Sequence, residues 1–341
     1  MSLEQRVKRF VERKHGRAEF RLDKLAGDAS DRSFHRISFV GASPQGYSSA
    51  ILMELGQPWT DGELPYLNVR RFMEKIGLPV PALYDTDLAS GFILIEDFGD
   101  VTLEDAVRGA PRPRFDSLYE KAVDLMLRIQ VEATRLRDDS CVSFSLAFDV
   151  EKLMFEFDFF YDHALLNYKA ASVSPEDERI IKSGFLAISE KLAGHALYLN
   201  HRDYHSRNIM VAPGDRLCLV DFQDARLGPV QYDLVSLVMD SYVPVPEDAC
   251  EPLCRHCLET LDSLYGIKQD PELFTEIFDY MTIQRCIKAA GSFAYLDCVK
   301  MKNRYLKYFV PCLSRVRTAF ERRPELGRFH ETLSKYTPEI K

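Results

Sequence analysis

The chain changes character once, at residues 96–99. From Phe20 to Phe98 short β-like runs alternate with turn residues, whereas beyond that point long stretches carry apolar residues at helical spacing. Strands and helices bury their apolar faces on different periods, so such a switch commits the chain to two units of different construction. The strand candidates are residues 34–40, 49–55 and 91–96, with residues 41–46 as a hairpin connection between the first two. One helix lies among them, over residues 66–76, ended by Gly77 with Pro79 and Pro81. Past the switch, helices are expected over residues 118–132, 150–166, 175–193 and most of 250–320, and strands at 196–199, 209–211 and 217–220. The expected fold is therefore α+β and two-lobed. A β-rich lobe over residues 1–98 is hinged near 96–99 to a helical lobe over 99–341.

With 341 residues, 46% of them hydrophobic and 28% charged, the chain can bury a sizeable core. The net charge of −8, with Lys and Arg scattered among acids, gives no basic stripe, so nucleic acid is not an expected partner. The first ten residues alternate charged and apolar positions and lack the apolar stretch of an export signal. No apolar run reaches the roughly 20 residues that cross a bilayer. A cytoplasmic protein with no membrane partner is expected, a monomer or weak dimer whose eight cysteines are reduced thiols.

The densest chemical signal lies between Asn200 and Val211, where His201, Asp203 and Asn208 stand at H-x-D-x-x-x-x-N spacing; a short apolar run then ends at Asp221. An Asp at the start of such a loop can accept the proton of an attacking hydroxyl. An Asn five residues on can bind a metal, and an Asp closing the next strand can bridge metals between phosphates. A transferred phosphoryl group carries negative charge that metal ions and positioned donors must offset. Oxygen ligands such as Asn208 and Asp221 suit Mg²⁺. Asp203, His201, Asn208 and Asp221 are the catalytic candidates, with His201 orienting the loop, and Asn208 and Asp221 are the metal ligands. ATP and Mg²⁺ are the expected cofactors and a small molecule the expected acceptor. The bland alternative is a capped turn with solvated acids.

With these residues in hand, the chain resembles the aminoglycoside phosphotransferase superfamily, whose fold is protein-kinase-like. Within it the chain is most similar to the bacterial anomeric sugar kinases acting on N-acetylmuramate and N-acetylglucosamine. The resemblance is carried by Gly27-Asp28-Ala29-Ser30 with Arg32 and Arg36, by residues 94–99, 201–210 and 220–234, and by a helical stretch over 284–296. It implies Asp203 as catalytic base, Asn208 and Asp221 on the metal, Gly27 to Ser30 covering the phosphates, and the backbone of Glu96, Asp97 and Phe98 against adenine. It also implies that Asp233 braces the catalytic loop. The first lobe would then bind nucleotide, and the second would carry the catalytic loop and acceptor site. The implied activity is ATP-dependent phosphorylation of the anomeric hydroxyl of an N-acetylated amino sugar in cell wall recycling. The rivals are an aminoglycoside, choline-like or amino-alcohol kinase of the same superfamily, and a non-catalytic nucleotide-binding regulator.

Two residues depart from that pattern. Met53 stands where most kinase-like proteins place a third-strand cation, and Arg32 or Arg36 is expected to supply it instead. Tyr295 stands where the resemblance leads one to expect a basic residue. Glu156 and Asp158 are acceptor candidates, since a carboxylate accepts paired hydrogen bonds from sugar hydroxyls, with surface solvation as the alternative; Gln284 and Lys288, one turn apart on a helical face, are candidates to reach an acidic group of the acceptor or else lie in water, and Asp224 is a further acceptor candidate. Phe155, Phe157, Phe159, Phe160 and Tyr161 read mainly as core. Cys250, Cys254 and Cys257 have a spacing some iron–sulfur clusters use, but i, i+4 and i+7 also line one helical face, and core packing is the expectation.

Overall fold

The computed structural model describes residues 2–16, 19–25, 32–41, 46–195 and 197–341. Helix α1 (Leu3–His15) opens with a capping box in which the Ser2 hydroxyl accepts the Gln5 N–H and the Gln5 side chain takes the Ser2 N–H. Its Val7, Phe10 and Val11, at i, i+3 and i+4, are buried against one face of a five-stranded antiparallel sheet. The strands are β1 (Phe20–Lys24), β2 (Ser33–Phe39), β3 (Ser49–Glu54), β4 (Leu83–Asp87) and β5 (Phe92–Glu96), in the order β1-β2-β3-β5-β4. Period-two alternation sends Ile37, Leu52 and Leu94 toward α1. Met53, Ile93 and Ile95 go to the opposite face, where α2 (Pro65–Lys75) presents Tyr66, Val69, Phe72 and Met73.

The strands at either edge, β1 and β4, were not expected. They read FRLDK and LYDTD, charged and only partly buried, so the alternation is blunted where the sheet meets solvent. The connection expected over residues 41–46 falls largely outside the described residues, but β2 and β3 do pair from Ser33↔Glu54 to Ser38↔Ser49.

Beyond the sheet come α3 (Leu103–Val107), α4 (Arg112–Leu127), α5 (Ala133–Arg135), α6 (Val150–Phe160) and α7 (Pro175–Ala193), the last with the expected bounds. Four short strands follow: β6 (Tyr198–Asn200), β7 (Ile209–Ala212), β8 (Arg216–Leu219) and β9 (Arg226–Gly228). Then come α8 (Gln231–Val238), α9 (Glu247–Tyr265), α10 (Pro271–Cys298) and α11 (Phe309–Ser314). Two helices expected to run straight instead widen into π turns, Arg128–Glu132 after α4 and Tyr161–Tyr168 after α6. The first turns Gln130 inward, where its Nε2 donates to Asn200 Oδ1 (2.7 Å) and to the Val230 carbonyl (3.0 Å). The three cysteines of α9 lie on its core side, Cys257 fully buried and Cys250 and Cys254 packed beside it. Among the described residues no helix is long and apolar enough to cross a membrane.

The close approach that matters most for the site is between α6 and α10. A Cβ on Gly291 would lie 2.7 Å from Phe160 Cα and 3.0 Å from Phe160 N, so only glycine lets these backbones meet. Gly291→Ala is expected to cost about 1–3 kcal/mol by overpacking, read as a lowered thermal midpoint. An unchanged melt would show that the two helices can part freely.

Candidate active site

β6 pairs with β9 and β7 with β8, so residues 201–208 form a loop leaving one short ribbon and entering another. The loop is fixed from within by Asp233, on the first turn of α8 and fully buried. Asp233 Oδ2 accepts the His201 N–H at 2.6 Å and Oδ1 the Arg202 N–H at 3.0 Å. Two successive N–H groups converge on one carboxylate where Arg202 adopts φ +81°, a conformation costly for a side chain of that size. Burial pushes the Asp233 carboxyl up to about 7 against the pull of those two donors. The His201 ring donates from Nε2 to the Val220 carbonyl at 3.0 Å, and burial lowers it to about 4, so it is a neutral strut. Tyr204 Oη donates to the Ala122 carbonyl (2.7 Å), and the Ser206 N–H to Asp240 Oδ2 (2.8 Å).

Asn208 closes the loop. Its Nδ2 donates to the Asp203 carbonyl at 2.9 Å, which leaves Oδ1 as the atom to offer a ligand. Its own carbonyl accepts the Val220 N–H (3.1 Å), and this brings Asp221, at φ +64°, alongside, with Oδ2 3.5 Å from Asn208 Nδ2. Burial raises the Asp221 carboxyl and the charge of Asp203 raises it further, so two carboxylates share a low-dielectric site. An amide oxygen beside such a carboxylate is the donor set of a hard divalent cation, and the residues present fit one.

Asn208 and Asp221 line a cavity of about 630 Å³ roofed by Phe34, Ile51, Met53 and Ile95 and bounded by residues 96–99. Asp203 instead lines a second cavity, of about 190 Å³, between the loop and α10. Burial would raise the Asp203 carboxyl, but Lys288 (3.5 Å), Arg202 (3.9 Å), Arg285 (3.6 Å) and His205 hold it well below the usual carboxylate range. Next to this ring lies Glu156, 3% exposed, whose Oε2 accepts from Gln284 Nε2 at 2.9 Å and whose Oε1 is 3.4 Å from Lys152 Nζ. Burial disfavours its charge, yet Lys288, Arg202, Lys152 and the Gln284 bond keep it ionised. Burial and Arg285 bring Lys288 down to about 8. Asp224, half exposed, lies 3.1 Å from Arg202.

Asp203, Asn208, Asp221, His201, Glu156, Gln284, Lys288 and Asp224 are thus gathered in one region by the β6–β7 and β8–β9 loops, α6 and α10. The solvated alternatives for Glu156 and Gln284 fail, since both are buried. Arg32 lines the larger cavity. Arg36 corrects the sequence expectation: its guanidinium binds Asp97 at 2.7 and 3.0 Å and Asp100 at 2.6 Å, a strut across the hinge. Asp97 is occupied by that pair, and Glu96 is held to Ala82, whose N–H its carboxylate accepts (3.1 Å) and whose carbonyl its own N–H donates to (2.9 Å). Gly27, Asp28, Ala29 and Ser30 lie outside the described residues. Tyr295 packs against Phe159 and His163. Sequence reasoning missed Arg202 and Arg285; the second sits three residues before Lys288, at helical spacing that was open to view.

Residues 24–271 match APH, the phosphotransferase enzyme family. The chain belongs to that family. Two relatives named N-acetylmuramate/N-acetylglucosamine kinase cover nearly its whole length. The one from Pseudomonas aeruginosa is 30% identical over 319 residues, 91% of this chain and 88% of its own. The one from Neisseria meningitidis serogroup B is 26% identical over 331 residues, 96% and 94%. Among solved structures, a choline kinase from Streptococcus pneumoniae superposes with TM-score 0.61 at 14% identity, covering 94% of this chain and 98% of that one. The ADP-bound aminoglycoside phosphotransferase APH(2'')-Ib gives 0.56 at 14%, covering 94% and 99%. These similarities establish the kinase-like fold of this phosphotransferase.

In a phosphotransferase whose loop hangs on Asp233, Asp233→Asn puts an amide N–H against a backbone N–H. The expected result is a fall in kcat of about 100-fold from misplacement of the loop, with a smaller change in the KM for nucleotide. Steady-state kinetics beside a melting curve would check it; a normal kcat would show that the loop holds its shape without that carboxylate.

Proposed function

We propose that this phosphotransferase moves the γ-phosphoryl group of ATP to the anomeric hydroxyl of an N-acetylated amino sugar, N-acetylmuramate or N-acetylglucosamine. The observation that carries this reading is the ring of Lys288, Arg202 and Arg285 around Asp203. Choline-like amino alcohols and aminoglycosides arrive as cations and favour an acidic pocket, whereas here the charge of Asp203 is already matched by Lys288, Arg202 and Arg285. A neutral or anionic sugar is compatible with it, and the names of the two bacterial relatives agree.

In this reading the lobe of residues 1–98 holds the nucleotide, with adenine under Met53 and against the backbone of 96–98, and residues 99–341 hold the acceptor. Asn208 and Asp221 would hold Mg²⁺, which supplies charge to offset the phosphates. Arg32, at the cavity edge and close enough to Asp221 to favour its charged form, would take the part of the missing third-strand cation. Asp203 receives the hydrogen bond of the acceptor hydroxyl and aims it. Surrounded by cations it is a weak base, which suits an anomeric hydroxyl because that group is more acidic than an ordinary alcohol. Most of the acceleration then comes from alignment and charge. Glu156, Asp224, Gln284 and Lys288 frame the acceptor side. The use of ATP and of reduced thiols supports a cytoplasmic enzyme, and the sugar class supports a place in cell wall recycling.

ADP release measured across N-acetylmuramate, N-acetylglucosamine, choline and an aminoglycoside is expected to be confined to the two sugars. Turnover of choline or the aminoglycoside alone would reverse the assignment. Asp203→Asn is expected to lower kcat by about 10²–10⁴-fold while ATP still binds; a variant that stays active would remove Asp203 from the chemistry. Lys288 carries its charge below about pH 8 and loses it above. The value of kcat/KM for the sugar is therefore expected to fall as pH rises through that point, and Lys288→Arg should carry the high-pH limb upward. A limb that stays in place would assign it to another group.

A further inference from the structure

The carboxylate of Asp203 presents its two oxygens to different surroundings. Oδ1 faces α10, with Lys288 Nζ at 3.5 Å and Arg285 Nη2 at 3.6 Å. Oδ2 faces Arg202 Nη1 at 3.9 Å and accepts no hydrogen bond among the described residues. Oδ2 is therefore the oxygen left to receive the proton of an acceptor hydroxyl.

The Arg202 side chain beside it is only 18% exposed, yet among the described residues its guanidinium donates no hydrogen bond. Three carboxylates stand around it as ion pairs alone: Asp224 3.1 Å and Asp203 3.9 Å from Nη1, and Glu156 4.0 Å from Nη2. Largely buried donors are ordinarily satisfied, so these call for an explanation. Nε is enclosed, but Nη1 and Nη2 are not. Nη1 lies between Asp203, which lines the cavity of about 190 Å³, and Asp224, which lines the cavity of about 630 Å³ together with Asn208 and Asp221. In the reading above, a phosphoryl group crosses that boundary on its way from nucleotide to acceptor. Lys288 offers a point charge there, whereas a guanidinium offers a planar fork of donors that matches phosphoryl oxygens.

We propose that Arg202 is a catalytic residue whose Nη1 and Nη2 donate to the non-bridging oxygens of the phosphoryl group in transit, and that Asp224 holds the guanidinium ready for it. The proposal rests on the phosphotransfer reading above. In the step itself the acceptor oxygen bonds to the γ-phosphorus, and the bond from that phosphorus to the β–γ bridging oxygen breaks, its electron pair leaving with ADP. The hydroxyl proton passes to Asp203 Oδ2. Arg202 keeps its protons and offsets the charge on the peripheral oxygens.

The test separates rate from binding. Arg202→Met keeps the length of the side chain and removes its charge and donors. The kcat for N-acetylglucosamine is expected to fall about 100- to 1,000-fold, with KM for ATP and for the sugar little changed. Arg202→Lys, which keeps the charge without the fork, should recover only part of the loss. Calorimetric titration in the presence of the sugar adds a readout without turnover: ADP with aluminium fluoride, a mimic of the group in transit, should bind Arg202→Met much more weakly than the wild type, while ADP alone binds both alike. A raised KM for the sugar at unchanged kcat would make Arg202 an acceptor-binding residue, and equal losses for ADP and its aluminium fluoride complex would make it structural; either result overturns the proposal. Should Arg202→Met fold poorly, the same two measurements on Arg202→Lys decide. A wild type that phosphorylates choline or an aminoglycoside instead of the sugars overturns the sugar assignment alone, and Arg202 is then tested with that acceptor. A wild type that phosphorylates none of them overturns both.

Discussion

The buried carboxylate of Asp233 accepts two neighbouring backbone N–H groups, those of His201 and Arg202, and the geometry of the loop follows from that grip. Charge-assisted bonds of this kind contribute about 1.5–3 kcal/mol each, enough to hold Arg202 at a positive φ that its side chain would otherwise avoid. Once the turn is set, Asp203 comes next in the chain on the far side of it. Its carbonyl catches the Asn208 amide, and Asn208 in turn sets Val220 and hence Asp221. One fully buried carboxylate thus determines where two others stand.

The loop separates two electrostatic environments. On one side Asp221 is raised by burial and by the neighbouring Asp203, a surplus of negative charge that suits a divalent cation. On the other, Lys288, Arg202 and Arg285 make Asp203 the minority charge and hold it ionised. In the proposed reading the asymmetry would set a metal ion against the nucleotide phosphates and fixed cations beside the acceptor, on either side of the transferred group. Glu156 offsets part of the positive charge of Lys288, Arg202 and Lys152. It pairs with Lys152 within α6, lies 4.0 Å from Arg202 and accepts the Gln284 amide of α10, so a hydrogen bond ties together the two helices that Gly291 lets touch.

How legible this was in the chain depends on the range of the interaction. The loop from His201 to Asp221 could be read because its members lie within a few residues of each other and each carries a side chain whose chemistry is narrow. The three inner strands announced themselves through alternation, while β1 and β4 did not, because edge strands face water and carry Asp, Lys and Thr. The burial of Glu156 and Gln284 was invisible, since it depends on packing between helices 128 residues apart along the chain. The π turns were equally hidden: no residue type signals an extra residue in a turn, and Gln130 shows its purpose only once Asn200 is beside it. Arg36 was read for the right strand and the wrong partner, since spacing could not reveal that Asp97 and Asp100 would face it.

That misreading bears on the missing third-strand cation. Arg32 and Arg36 are four residues apart along an extended segment, about 13 Å at roughly 3.3 Å per residue, so they serve different places. Arg36 joins the sheet to the hinge through Asp97 and Asp100, while Arg32 lies at the end near Asp221. A cation in the middle of β3 would instead project where Met53 completes an apolar roof with Phe34, Ile51 and Ile95. An adenine ring seated there, as proposed, would gain from that roof through burial and would lose nothing by the missing ammonium, because positive charge is needed only where the phosphates emerge. With Arg36 as hinge strut, the phosphate-side part proposed for Arg32 would make Met53 a relocation of charge rather than a loss of it.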